Sequence, residues 1–202
     1  MKKILLTLIT IVAVNATVNA QMRFGVKGGV NLANVSTSEK SVTYNSALGF
    51  HAGIVLDAPL SESISIQPNL LYSQKGFSLD ASGVTAKATF NYIEIPVNFL
   101  FHVTDALTIG AGPYLGYALS ASAKATFNGQ SQTTDVDFDN KSQRIDYGLN
   151  ITAGYEVIEG LVVSANYSLG LANLNKDATS SSTITVKNNV IGFSVTKFFG
   201  ER

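Results

Sequence analysis

The chain has no cysteine, so neither disulfides nor thiolate metal sites are available to it. A lipid-anchored N-terminus, which needs a cysteine at the cleavage point, is excluded for the same reason. Charge is scarce as well: Asp, Glu, Lys and Arg make up 14% of the residues, against about a quarter in an average soluble domain. The balance is neutral, and leaving out Lys2 and Lys3 turns 14 basic against 14 acidic residues into 12 against 14. No nucleic-acid partner is expected from such a balance. Past residue 20 no segment carries a helical period, and no apolar run is long enough to cross a bilayer as a helix.

At the start, Lys2 and Lys3 precede an apolar run from Ile4 to Val14, followed by the small-residue exit Val18-Asn19-Ala20. That order predicts a secretory signal peptide over 1–20, cleaved near Ala20. The remaining 21–202 suits one domain of moderate size.

Strict alternation of apolar and small or polar residues, the mark of a strand with two unlike faces, recurs eight times. It runs over 23–32, 47–57, 63–75, 92–101, 107–119, 144–157, 161–171 and 188–199. The breaks near Pro59, Thr104-Asp105 and Glu159-Gly160 are tight. Those at 33–46, 76–88, 120–142 and 173–187 are long and rich in Ser, Thr, Asn, Asp and Lys. Short and long connections therefore alternate, which in an up-and-down meander puts all tight turns at one end. The expectation is all-β: an eight-stranded antiparallel up-and-down transmembrane β-barrel with a polar, filled lumen, short periplasmic turns and long external loops.

Three arguments place the aliphatic face outward. An eight-stranded barrel is so narrow that side chains fill its interior, and glycines 25, 29, 49, 53, 110, 112, 116, 148, 154, 170 and 192 fall on the polar face, leaving room for Arg144, Glu94 and Lys27 to cross. Aromatics on the apolar face sort by height: Phe24, Phe99, Phe101, Tyr155 and Phe199 near the tight turns, Phe50, Tyr72, Tyr117 and Tyr147 nearer the loops. Two such bands match the two interfaces of a bilayer. Closure also satisfies every backbone group, as lipid demands. Pro68, Pro96 and Pro113 stand inside strands, where bulges are expected. Ile95→Arg is expected to cost about 2–4 kcal/mol at the bilayer midplane, and Asn98→Arg to be better tolerated.

The stretch Tyr92-Ile93-Glu94-Ile95-Pro96-Val97 resembles the Tyr-x-Glu-Ile-Pro-Leu pattern of the PorT-like outer-membrane β-barrel family of the Bacteroidota. So do Gly112-Pro113-Tyr114-Leu115-Gly116, Asp146-Tyr147-Gly148-Leu149-Asn150, Gly154-Tyr155-Glu156, Tyr167-Ser168-Leu169-Gly170-Leu171 and the opening from Phe24 to Asn31. The resemblance covers 21–202. It implies an eight-stranded barrel in the outer membrane of a Gram-negative bacterium, with outer-membrane lipid and the barrel assembly machinery as partners, and little about activity. In one departure, the terminal aromatic read by that machinery, Phe199, is followed by Gly200-Glu201-Arg202.

No catalytic, cofactor-binding or metal-ligating residue is assigned. Glu94 and Arg144 both fall on the lumen face, where they form either a gated ion path or a structural charge network with Lys27, Lys75 or Asp146; the structural reading is favoured in so narrow a barrel. His51 (lumen) and His102 (tight turn) lack the convergent spacing of a metal site. No serine has an oriented base beside it. Asp135, Asp137 and Asp139 read as a solvated loop, and Gly25-Val26-Lys27-Gly28-Gly29 lacks the helix of a phosphate loop. The expected function is that of a non-enzymatic integral outer-membrane barrel acting in structure or surface interaction through its long loops. A narrow pore and a secreted soluble barrel for a small apolar ligand are the alternatives.

Overall fold

The computed structural model describes residues 22–38, 44–81, 84–138, 141–174 and 185–200. The expected signal peptide at 1–20 lies outside the described residues. Alternating β-branched and aromatic residues build nine strands. They are β1 (Arg23–Thr37), β2 (Asn45–Pro59), β3 (Ile64–Ala81), β4 (Val84–His102), β5 (Leu107–Phe127), β6 (Gln130–Val136), β7 (Ile145–Ile158), β8 (Leu161–Gly170) and β9 (Val186–Phe199). A 3-10 turn, Lys141–Arg144, leads into β7.

Eight strands close a ring of antiparallel neighbours in the order β1-β2-β3-β4-β5-β7-β8-β9, with β9 returning to β1. The ninth, β6, pairs among the described residues only with the upper part of β5. Two expected loops are therefore largely strand. Over 76–88 the chain stays in β3 to Ala81 and resumes as β4 at Val84. Over 120–142 it finishes β5, turns at Asn128-Gly129 and forms β6. Spanning a bilayer takes about 9–11 residues per tilted strand, so β3, β4 and β5, at 18, 19 and 21 residues, project well past it.

The tight turns gather at the opposite end. Leu60 N–H donates to Ile64 O at 2.8 Å, Val103 N–H to Leu107 O at 2.9 Å, and Gly160 takes φ 70° in the two-residue turn between Ile158 and Leu161. The faces are as expected. Leu48, Ile54, Ile95, Leu115, Leu149, Ile151, Phe193 and Val195 lie exposed on the outer wall, while Asn31, His51, Lys75, Glu94, Asn98, Asp146 and Thr196 are buried within. Phe24 pairs with Phe199, and Phe101 with Ile64, beside the tight turns; Tyr117 pairs with Ile145 at the top of the β5–β7 ladder. An outer wall this apolar, banded by aromatics at two heights, suits a bilayer and would be costly in water.

The prolines do not cause bulges. Pro68 pairs with Val97, Pro96 with Tyr114 and Pro113 with Leu149, with no register shift. Shifts occur instead between Ser46 and His51, Asn91 and Tyr92, and Glu156 and Ile158. A proline removes one donor but no acceptor, and near Pro96 the Asn69 side-chain amide adds a donor to the ladder, reaching Gln67 O at 2.9 Å and Pro96 O at 3.4 Å.

Ile151 stands midway between Tyr147 and Tyr155 on β7 and is 60% exposed on the outer wall. Ile95 is one outward position below Ile93, which pairs with Tyr117 of the upper band. Ile151→Arg should therefore cost about 2–4 kcal/mol and Ile95→Arg less, because the penalty falls toward the interface. Refolding into lipid vesicles against urea measures both; equal, negligible costs would mean that the two faces are assigned the wrong way round.

Candidate functional site

The lumen is the natural place to look for chemistry, because alternation sends every second residue of eight strands into it. Three layers occupy it. In the upper layer, Lys75 from β3 meets Glu94 from β4 at 3.2 Å and Asp146 from β7 at 3.1 Å. All three are buried. Asn188 donates to Asp146 at 3.0 Å, Tyr114 OH reaches the same carboxylate at 3.4 Å, and the Lys75 ammonium lies 4.4 Å from the Tyr114 ring centre and 5.2 Å from that of Tyr92. One cation thus bridges two carboxylates, with ring faces closing its remaining sides.

The hydrogen bonds of the middle layer run between neutral groups. The Asn31 amide donates to Ser73 Oγ at 3.2 Å and to Gln74 O at 3.0 Å, which leaves its carbonyl to accept from His51 Nδ1 at 2.8 Å. His51 Nε2 then takes the Ser194 hydroxyl at 2.8 Å. Asn150 donates to Asn98 Oδ1 at 2.9 Å and accepts from Ser168 Oγ at 2.9 Å. In the lower layer, Arg23 meets Asp57 at 3.0 Å and Glu156 at 3.3 Å, and its guanidinium lies 4.6 Å from the centre of the Phe198 ring.

The expected charge network exists in part. Glu94, Lys75 and Asp146 come together. Arg144 does not join them: it stands in the 3-10 turn before β7, where strand parity has not begun, and donates to Ala118 O and Leu119 O while its guanidinium lies over the Phe138 ring. Lys27 lines the central cavity but lies outside the ion pairs. The space left by lumen glycines goes to rings: a Cβ on Gly29 would strike Phe193 O and the His51 ring, and one on Gly148 would strike Leu169 O and the Tyr114 ring. The lumen is also less polar than expected, since Val55, Leu71, Leu100, Val190 and Phe198 are buried in it. Asn98 is 2% exposed, so Asn98→Arg has no space and the expected tolerance is withdrawn.

The Arg23 cluster went unrecognised in the sequence, although Arg23 and Asp57 share the polar face and pair directly across the β1–β2 ladder. His102 sits at its turn with Nε2 3.2 Å from Ser65 Oγ. Asp135 and Asp137 are exposed, on β6 and just after it, and Asp139 lies outside the described residues. Among the described residues no group of three or more His, Cys, Asp or Glu could hold a metal. A cavity of about 40 Å³ lies inside among Lys27, His51, Ser73, Glu94 and Asn166, room for a few waters.

Residues 17–176 match the outer membrane protein beta-barrel domain, and the chain belongs to that family. It is an integral outer-membrane β-barrel protein. Among solved structures it is similar to Neisserial surface protein A, at 16% identity over 87% of this chain and 97% of that one, with a TM-score of 0.50. It is also similar to Ail, the attachment invasion locus protein of Yersinia pestis, at 14% identity over 86% and 97%, with a TM-score of 0.47. At such identities the likeness concerns the fold. A search of curated proteins found no match.

Lys75→Met should strand two carboxylates in the upper layer and cost about 3–5 kcal/mol. Lys75→Met combined with Glu94→Gln and Asp146→Asn should recover part of that loss. Urea midpoints of the refolded barrel measure both; a single variant as stable as the parent would show that the layer does not hold the wall together.

Proposed function

We propose that this barrel is a non-enzymatic member of the outer membrane that carries no solute and works by contact through its external end. The supporting observation is the stack in the lumen: two buried ion clusters with a hydrogen-bonded layer between them, around a cavity of about 40 Å³. Ion pairs held by several partners in a low dielectric are poor gates, because opening one exposes uncompensated charge. The strand material of β3, β4, β5 and β6 beyond the aromatic bands is the part left to meet other molecules.

Within the family, the run Tyr92 to Val97 and the motifs around Gly112, Asp146 and Tyr167 support a PorT-like member of a Gram-negative outer membrane. The chain is exported by its first twenty residues, cut near Ala20 and inserted by the barrel assembly machinery into outer-membrane lipid. N-terminal sequencing of outer-membrane fractions tests the cleavage.

In planar bilayers the refolded protein should pass no steady current between pH 5 and 8. A stable, ion-selective conductance would overturn the closed-lumen reading and favour a narrow pore.

A further inference from the structure

Above the aromatic bands, β3, β4, β5 and β6 form a sheet whose rows follow from the registers. Phe77, Ala88, Ala123 and Thr134 make one row, and Leu79, Ala86, Ala125 and Gln132 the next, on the side that continues the lumen face. Ser78, Lys87, Lys124 and Thr133 make a row on the other, outward side, and Gly76, Thr89, Ser122 and Asp135 another. Among the described residues β6 pairs with β5 alone, and all seven of its residues are exposed.

The turn fixes which backbone groups are left over. Asn128 and Gly129 have φ 49° and 78°, the two left-handed residues of a type I′ hairpin. Such a turn closes on a hydrogen-bonded pair, here Phe127 with Gln130, and the antiparallel ladder then alternates. Gln130, Gln132, Thr134 and Val136 therefore bond to β5, while the N–H and C=O groups of Ser131, Thr133 and Asp135 point away from it, along the free edge. Natural edges are usually blocked by proline, by lysine or by an inward-pointing charge. β6 has none of these: its sequence is Gln-Ser-Gln-Thr-Thr-Asp-Val, and its one charge points outward.

We propose that this edge receives an extended peptide segment of a partner protein by strand addition, antiparallel to β6, with a basic residue opposite Asp135. The inference rests on the reading of the external end as the working part, and it supplies the partner's chemistry. The main chain of Ser131, Thr133 and Asp135 provides the pairing. Asp135, with Asp137 following, supplies the charge preference, and Val136 asks for an apolar residue immediately before the basic one. A second copy in the same membrane is a poor occupant, because rotation about the membrane normal brings the two β6 edges together parallel, not antiparallel.

The probe is a synthetic peptide of the length of β6, valine-lysine-valine-threonine-valine-threonine-valine, added to the refolded full barrel. Amide hydrogen exchange at Ser131, Thr133 and Asp135 should slow by about ten-fold or more, while Gln130, Gln132 and Thr134, already bonded, change little. Thr133→Pro removes an edge donor without touching the β5 ladder, so it should abolish the effect and leave the barrel heat-modifiable on gels. Asp135→Lys should weaken this peptide and favour its glutamate counterpart, which keeps the test alive should the proline variant fail to fold. No slowing at saturating peptide, or slowing without peptide that rises with protein concentration, would overturn the proposal; the second result would assign the edge to another copy. Conductance of the same sample reports separately on the closed lumen.

Discussion

Closure of the eight-strand ring is the constraint from which the other features follow. In lipid an unpaired backbone group has no water to turn to, so each spanning strand needs a hydrogen-bonded neighbour on both sides. The return of β9 to β1 and the pairing of β4 with β5 provide this. A ring of eight is narrow, and whatever alternation sends inside must pack against the far wall. The wall thus dictates the lumen: groups that would be hydrated elsewhere must find partners among one another.

That requirement explains the layering. Lys75 is held by two carboxylates and two aromatic faces, and Arg23 by two carboxylates and one. Each cation bridges three or more strands, so the clusters act as cross-ties of the ring as well as plugs. Between them the amides of Asn31, Asn98 and Asn150 and the His51 ring carry hydrogen bonds across the same space, with the Lys27 side chain beside them. Val55, Leu71 and Phe198 fill what polar groups leave. A polar interior is tolerable here because the apolar surface is already matched by lipid on the outside, the reverse of a soluble core.

Alternation made the spanning wall legible in the sequence, since a strand's faces differ at a period of two and nothing else in a short segment does. Ion pairing was less so. Parity puts Glu94 and Asp146 inside, but Arg144 lies one residue before its strand, in a 3-10 turn where parity has no meaning. The external sheet was hidden by composition: Ser78, Asp80, Thr85 and Lys87 read as loop, although Phe77 and Leu79 alternate with the first two. Asn128-Gly129 is the strongest short hairpin signal there is, and it stood inside a stretch taken whole as a connection. The lumen cavity depends on side-chain packing across the barrel, which no local pattern encodes.

The boundary between wall and external sheet is written differently in neighbouring strands. Leu71 and Leu100 apart, on β3 the apolar residues sit at even positions up to Tyr72 and at odd positions from Phe77; on β4 they are even up to Phe90 and odd from Ile93. The sequence itself changes phase where the bilayer ends, and apolar groups pass from the outer to the inner side. β5 keeps its apolar residues odd from Leu107 to Phe127, yet Ala118 and Ala121 are both buried. The reconciliation is the extra residue Leu119, bulged between the pairs Tyr92–Ala118 and Asn91–Ser120. One bulge flips every following side chain, so the same inversion is reached without a change of phase. Because β6 takes its register from β5 above that bulge, Leu119 also decides that Ser131, Thr133 and Asp135 turn their side chains to water. The outward face of the free edge is thus set by a single residue at the membrane boundary, four or more rungs below it on β5 for Thr133 and Ser131.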